Sequence, residues 1–146
     1  MLKLVANNKK AFYEYFIIET YEAGISLYGT EVKSLRNKSC SIADSYINVK
    51  GNEMYILNMN IPEYSFGNLF NHEPTRTRKL LMHKKEIIKL AFKAKKDGMT
   101  IVPLKVYFND DNRVKIEIAL AKGKHVADKR EAIKKKEQDR DIRKNY

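Results

Sequence analysis

The sequence predicts a mainly β fold: a small closed antiparallel barrel resembling an oligonucleotide-binding (OB) fold. One long helix, one or two short helices and a disordered basic C-terminal tail complete it. Three observations carry this expectation. Five or six short segments rich in β-branched and aromatic residues are separated by turn signals. One segment, about residues 77 to 96, changes to helical period. A small antiparallel set with a capping helix hides its edges best by closing on itself, and an open α+β sheet is the alternative.

Taken in order, residues 13–27 (YEYFIIETYEAGISL) read as a long strand with a bend or tight turn at Gly24. GTEVKSLRNKS follows as a short capped helix beginning near Thr30. Residues 41–49 and 54–61 are two strands, joined by a hairpin turn at Lys50-Gly51-Asn52. Residues 62–77, with Pro62, Gly67, Asn68, Asn71 and Pro74, form a loop. From about Thr77 to Lys96 an apolar stripe of Leu80, Leu81, Ile87, Ile88, Ala91 and Phe92 predicts the long helix, closed by Gly98 in a left-handed cap. Residues 100–108 and 113–120 are the clearest strand pair, joined by Asn109-Asp110-Asp111-Asn112.

The chain of 146 residues carries 29 Lys and Arg against 18 Asp and Glu, net +11. Such an excess attracts polyanions, nucleic acid first and an anionic membrane second. No run of about eighteen apolar residues exists to span a bilayer. The N-terminus is too short and polar for a secretion signal. The single cysteine, Cys40, allows no internal disulfide and suits a reducing compartment, so the chain is read as cytoplasmic.

Enzyme chemistry has little support. His72, His83 and His125 are far apart and lie in no metal-ligand spacing with Cys40, which reads as a small buried hydrophobe. No phosphate-binding loop, dinucleotide fingerprint or nucleophile elbow is present. Glu19, Glu22, Glu31 and Asp44 could converge on magnesium as in a nuclease. They read better as wet strand residues, a turn carboxylate and helix-end charges. No cofactor, metal or catalytic residue is expected.

RNA-binding signals are stronger. Asn8, Lys9 and Lys10 form a basic lead into the first strand. Arg76, Arg78 and Lys79 stand at the expected start of the long helix, where cations oppose the helix dipole. Together with the helix N-terminus they could hold a phosphate. The competing account pairs the arginines with Glu73 or another surface carboxylate, and phosphate is the favoured reading. One or two of the nine tyrosines and six phenylalanines could stack on bases.

The tail is unlike the body. Residues 1–120 carry 19 basic and 13 acidic side chains, net +6; residues 121–146 carry 10 and 5, net +5. Two units are therefore expected, an OB-like RNA-binding barrel over 1–120 and a basic tail over 121–146. Asp128 with Glu131 has capping-box spacing, and Glu131 to Lys135 and Asp139 to Arg143 are favourable i,i+4 pairs. An apolar stripe is almost absent, and such pairs cannot hold a helix alone in water. The expectation is a tail disordered when free and helical against a polyanion.

Several motifs then coincide in order: NKKAFYEYFIIETYEAGISLYGTEVKSLR, DSYINV, GNLFNHEPTRTRKLLMHKKEI, IALAKGK and DKREAIKKK. With them the chain resembles the bacterial SsrA-binding protein (small protein B) family from about Asn8 to Arg143. The resemblance implies a non-catalytic adaptor with an OB-like body that binds the tRNA-like domain of transfer-messenger RNA (tmRNA). With elongation factor Tu, the pair would enter ribosomes stalled on truncated messages, for trans-translation. It implies RNA contacts at Glu22, Lys115, Lys9 and Lys10, with Leu81 supporting the surface from beneath. The whole expected RNA-binding set is Asn8, Lys9, Lys10, Glu22, Arg36, Arg76, Arg78, Lys79, Leu81, Lys115, Lys122 and Lys124. The tail would enter the decoding region and empty message channel and meet small-subunit RNA, through His125, Asp128, Lys129, Arg130, Lys134, Lys135, Lys136 and Arg140. Family members often carry an aromatic residue or His just before Asp-Lys-Arg; here Ala127 stands there, which leaves stacking to His125 or to none. A monomer without a membrane partner is expected. The alternatives are a metal-dependent RNA-processing enzyme and a general ribosomal or initiation-type OB protein.

Overall fold

A computed structural model describes residues 3–64 and 71–124. Its elements in chain order are β1 (Lys3–Asn7), α1 (Lys9–Glu14), β2 (Tyr15–Ile25), α2 (Gly29–Arg36), β3 (Tyr46–Lys50), β4 (Glu53–Leu57), β5 (Arg78–Leu81), α3 (Lys84–Asp97), β6 (Thr100–Phe108) and β7 (Val114–Gly123). The strands form one antiparallel sheet in the order β1-β6-β7-β2-β5-β4-β3.

The expected closure does not occur. β3 and β6 lie side by side but share no ladder, so the sheet curls without becoming a barrel. The edge of β6 supplies the reason. β1 covers it only from Lys105 to Phe108. Beyond that, Pro103 has no N–H to donate, and its carbonyl is already taken by Asn8 Nδ2 at 2.8 Å.

Local chemistry explains most elements. Gly51 and Asn52, at φ 59° and 66°, make the two-residue turn of the β3–β4 hairpin. Gly98 ends α3 at φ 65°, and the Met99 N–H bonds to the Ala94 carbonyl. Asn8 starts α1, its Oδ1 accepting from the Ala11 N–H. Neither β1 nor α1 is evident in the sequence pattern. The chain before Tyr13 had no clear period, and pairing with β6 decides its form.

The largest departure is at the long helix. It begins at Lys84, with His83 as its extended cap residue, and Arg78–Leu81 is a strand. Leu80 is buried opposite Met54 on β4 and Ile25 on β2, while Leu81 faces outward opposite Gly24. A pair of leucines just before a helical stripe looked like its first turn; tertiary pairing drew it into the sheet. The stripe is also rotated. Ile87 and Leu90 are buried, and Ile88 and Phe92 are exposed. At the other end, β7 runs to Gly123, so the sheet passes the expected boundary at residue 120 and Ala121 is buried within it.

The main core lies on one face of the sheet and includes Leu35, Met54, Ile56, Met59, Leu80, Val106, Ile116 and Ile118. A smaller cluster gathers Ala11 of α1 with Val102, Leu104, Ala119 and Ala121. None of the helices among the described residues is long and apolar enough to cross a membrane.

Candidate nucleic-acid interface

Opposed residues of an antiparallel ladder point to the same face. Reading across four strands, Tyr107 on β6, Lys115 on β7, Gly24 on β2 and Leu81 on β5 form one row. Beside it run Lys105, Glu117 and Glu22. Leu81 is half exposed. Gly24, Leu27, Val32, Leu81, Arg113 and Lys115 line a groove of about 300 Å³. Gly24 is required there not for a turn but for a close approach. A Cβ on it would meet Leu81 Cβ at 3.3 Å, so β5 would have to give by a few tenths of an ångström. The expected bend is a join, where β2 pairs with β7 and β5 at the same residue.

Glu22 accepts a hydrogen bond from the Tyr107 hydroxyl. Burial, then the Glu22 carboxylate, raises the Tyr107 pKa well above that of a free phenol, so it remains a donor. Lys115 makes no ion pair among the described residues, and its ammonium is available to a phosphate. Three of the expected RNA contacts, Glu22, Leu81 and Lys115, therefore share one surface.

Others do not reach it. Lys122 is seven positions beyond Lys115 on β7, roughly 23 Å at about 3.3 Å per residue. There, Lys124 Nζ lies 5.3 Å from the centre of the Phe16 ring, and its N–H bonds to the Glu14 carbonyl. Lys9 and Lys10 are exposed on α1, which leads into this same end of β2. Phe12, Tyr13 and Phe16 are exposed here too. Arg36 is exposed at the last position of α2. His125, Asp128, Lys129, Arg130, Lys134, Lys135, Lys136 and Arg140 lie outside the described residues.

The placement of Asn8, Arg76, Arg78 and Lys79 differs from the expected one. Asn8 is buried and both ends of its amide are bonded to backbone. Arg76, Arg78 and Lys79 are not at a helix start, because that stretch is β5 and its approach. Arg78 is fully buried: Nε donates to Glu31 Oε2 at 2.8 Å, Nη2 lies 2.7 Å from the same oxygen, and further bonds go to the carbonyls of Met59, Arg76 and Pro74. Arg76 binds Glu31 through Nε at 3.0 Å and Nη2 at 2.8 Å. The arginines thus pair with a carboxylate, but a buried one rather than Glu73. Lys79 pairs with Glu53 at 3.1 Å on the surface.

Burial alone would raise the Glu31 pKa; bonds from Arg76, the Tyr28 N–H and Arg78 outweigh it, and the net value is lowered. Glu31 is no wet helix-end charge. Three of the four carboxylates weighed for a nuclease site are separately held: Glu19 by Lys93 and Tyr21, Glu22 by Tyr107, Glu31 by the two arginines. No three His, Cys, Asp or Glu side chains among the described residues gather as metal ligands. His72 is buried, bonded to Thr30 Oγ1 and the Ile61 carbonyl. Cys40 is partly buried, and burial pushes its thiol up to about 12.

Comparison with known proteins gives the family. The chain is 56% identical over 142 residues to an SsrA-binding protein of Thermosipho melanesiensis, covering 97% of each. It is 54% identical to one of Fervidobacterium nodosum, covering 97% of this chain and 95% of the relative. A chain in a solved structure described as "tmRNA-SmpB: a journey to the center of the bacterial ribosome" superposes with a TM-score of 0.66 at 41% identity, over 88% of this chain and 87% of that one. The family model for SmpB protein matches residues 5–146, and the chain belongs to that family.

Proposed function

We propose that this chain is a non-catalytic RNA-binding adaptor that binds the tRNA-like domain of transfer-messenger RNA and delivers it to stalled ribosomes for trans-translation. The row of Leu81, Gly24 and Lys115 beside Glu22 carries the reading, in a family whose relatives are named SsrA-binding proteins. The row combines what a folded RNA needs: a cation for phosphate, a carboxylate held as an acceptor for ribose or base donors, and an apolar ridge.

The opposite end of β2 and β7, with Lys122, Lys124, Lys9 and Lys10, faces a second RNA, that of the small ribosomal subunit. Residues 125–146 leave from this end. They occupy the decoding centre and the empty message channel, where a helix without an apolar stripe of its own packs against phosphates. Elongation factor Tu accompanies the complex, and the protein acts in the cytoplasm as a monomer.

Fluorescence anisotropy with the labelled tRNA-like domain, from about 50 to about 300 mM salt, tests the first half. Log affinity should fall linearly with log salt. Lys115→Ala should weaken binding and lower that slope by about one. Affinity that ignores salt, or full-strength binding by Lys115→Ala, would contradict the proposal.

A further inference from the structure

Tyr28 stands at the start of α2, directly after the segment whose Gly24, Ile25 and Leu27 line the groove. The residue is 59% exposed. The Arg76 guanidinium carbon lies 4.0 Å from the ring centre, so one π face is covered. Arg76 cannot swing away easily. It holds Glu31 through two nitrogens and also donates to the Ser26 carbonyl at 3.2 Å. The ring's own backbone is fixed too, the Tyr28 N–H donating to Glu31 Oε1 at 2.8 Å. The mount has one carboxylate and two guanidiniums, so it carries a net charge of +1 beside the ring.

A merely surface-exposed tyrosine would be free to rotate. This one is packed on a clamped cation, directly follows the segment that lines a surface read as RNA-binding, and more than half of its surface meets water. Ordering a ring before its ligand arrives removes an entropy cost from binding. We propose that Tyr28 is a stacking platform for one unpaired RNA base, held from behind by Arg76. The base makes a three-layer stack with the ring and the guanidinium, and the net positive charge favours the strand that carries it. This rests on the RNA-binding reading above and adds a contact to it.

The test uses the full chain and the labelled tRNA-like domain of transfer-messenger RNA, with three variants: Tyr28→Phe, Tyr28→Leu and Tyr28→Ala. Stacking needs a π face and not the hydroxyl. Tyr28→Phe should bind within about twofold of the unaltered chain, and Tyr28→Ala should lose about five- to 150-fold. Tyr28→Leu still shields Arg76 from water, yet it should lose most of what Ala loses. The salt slope should stay unchanged in all three, because no phosphate contact is removed. Full affinity in Tyr28→Leu or Tyr28→Ala would make the ring only a lid over Arg76 and overturn the proposal. So would a loss in Tyr28→Phe equal to that in Tyr28→Ala, or a reduced slope. If the unaltered chain itself fails to bind, the RNA-binding reading falls, and the stacking contact falls with it.

Discussion

Glu31 is a carboxylate buried between two guanidinium groups, and removing its charge tests how much the fold depends on it. Glu31→Gln would leave the fully buried Arg78 without its counter-charge, and breaking such a pair costs about 3–5 kcal/mol. A urea titration should show this as a lower midpoint. The pH dependence has a definite sign. Because the folded pKa of Glu31 is lowered, its contribution is complete above the unfolded value of about 4.3 and is lost as pH falls through the lower folded value. From about pH 6 to about pH 3 the unaltered protein should therefore lose more stability than Glu31→Gln. Equal losses would mean Glu31 carries no such coupling. The residues Arg76 and Arg78 were visible in the sequence as a violation of helix-dipole chemistry. The violation had a simpler meaning, since no helix begins there.

Among the elements, β2 has the most to lose from one atom. It is the strand that joins β7 to β5, and Gly24 is where it touches both. Gly24→Ala must push against Leu81 Cβ at 3.3 Å, and Gly24→Val must do so with two more methyl groups. Forcing bulk into such a contact costs about 1–3 kcal/mol. Tm should fall from glycine to alanine to valine, and affinity for the tRNA-like domain should fall in the same order. A stable Gly24→Val that binds RNA normally would remove the groove from the interface. The sequence marked Gly24 as special but could not distinguish a bend from a close approach, because both exploit the missing Cβ. It located the β3–β4 turn and the Gly98 cap without ambiguity, since both need φ above zero and glycine or asparagine supplies it.

At the scale of the whole molecule, the charges fall at two ends of one pair of strands, and the chain leaves the described sheet at the second end. On the proposed function, two partners would be engaged at once, one at Lys115 and one at Lys124. Deleting residues 128–146 should leave affinity for the tRNA-like domain mostly intact while abolishing tagging of nascent chains on stalled ribosomes in a reconstituted translation assay. Equal loss of both would show that the two ends do not act separately.

What the residues alone determined was local: turns set by φ, alternating strands, a helix stop, the excess of positive charge and the motifs of a family. Those depend on neighbours within a few positions, so a single chain displays them. Tertiary structure decided whether Arg78–Leu81 became strand or helix, whether β3 reached β6, and which cations stayed free. Each of these depends on partners far away in sequence: Leu81 on Gly24, Pro103 on Asn8, Arg78 on Glu31. Only folding brings such partners close enough for their bonds to outweigh local preference.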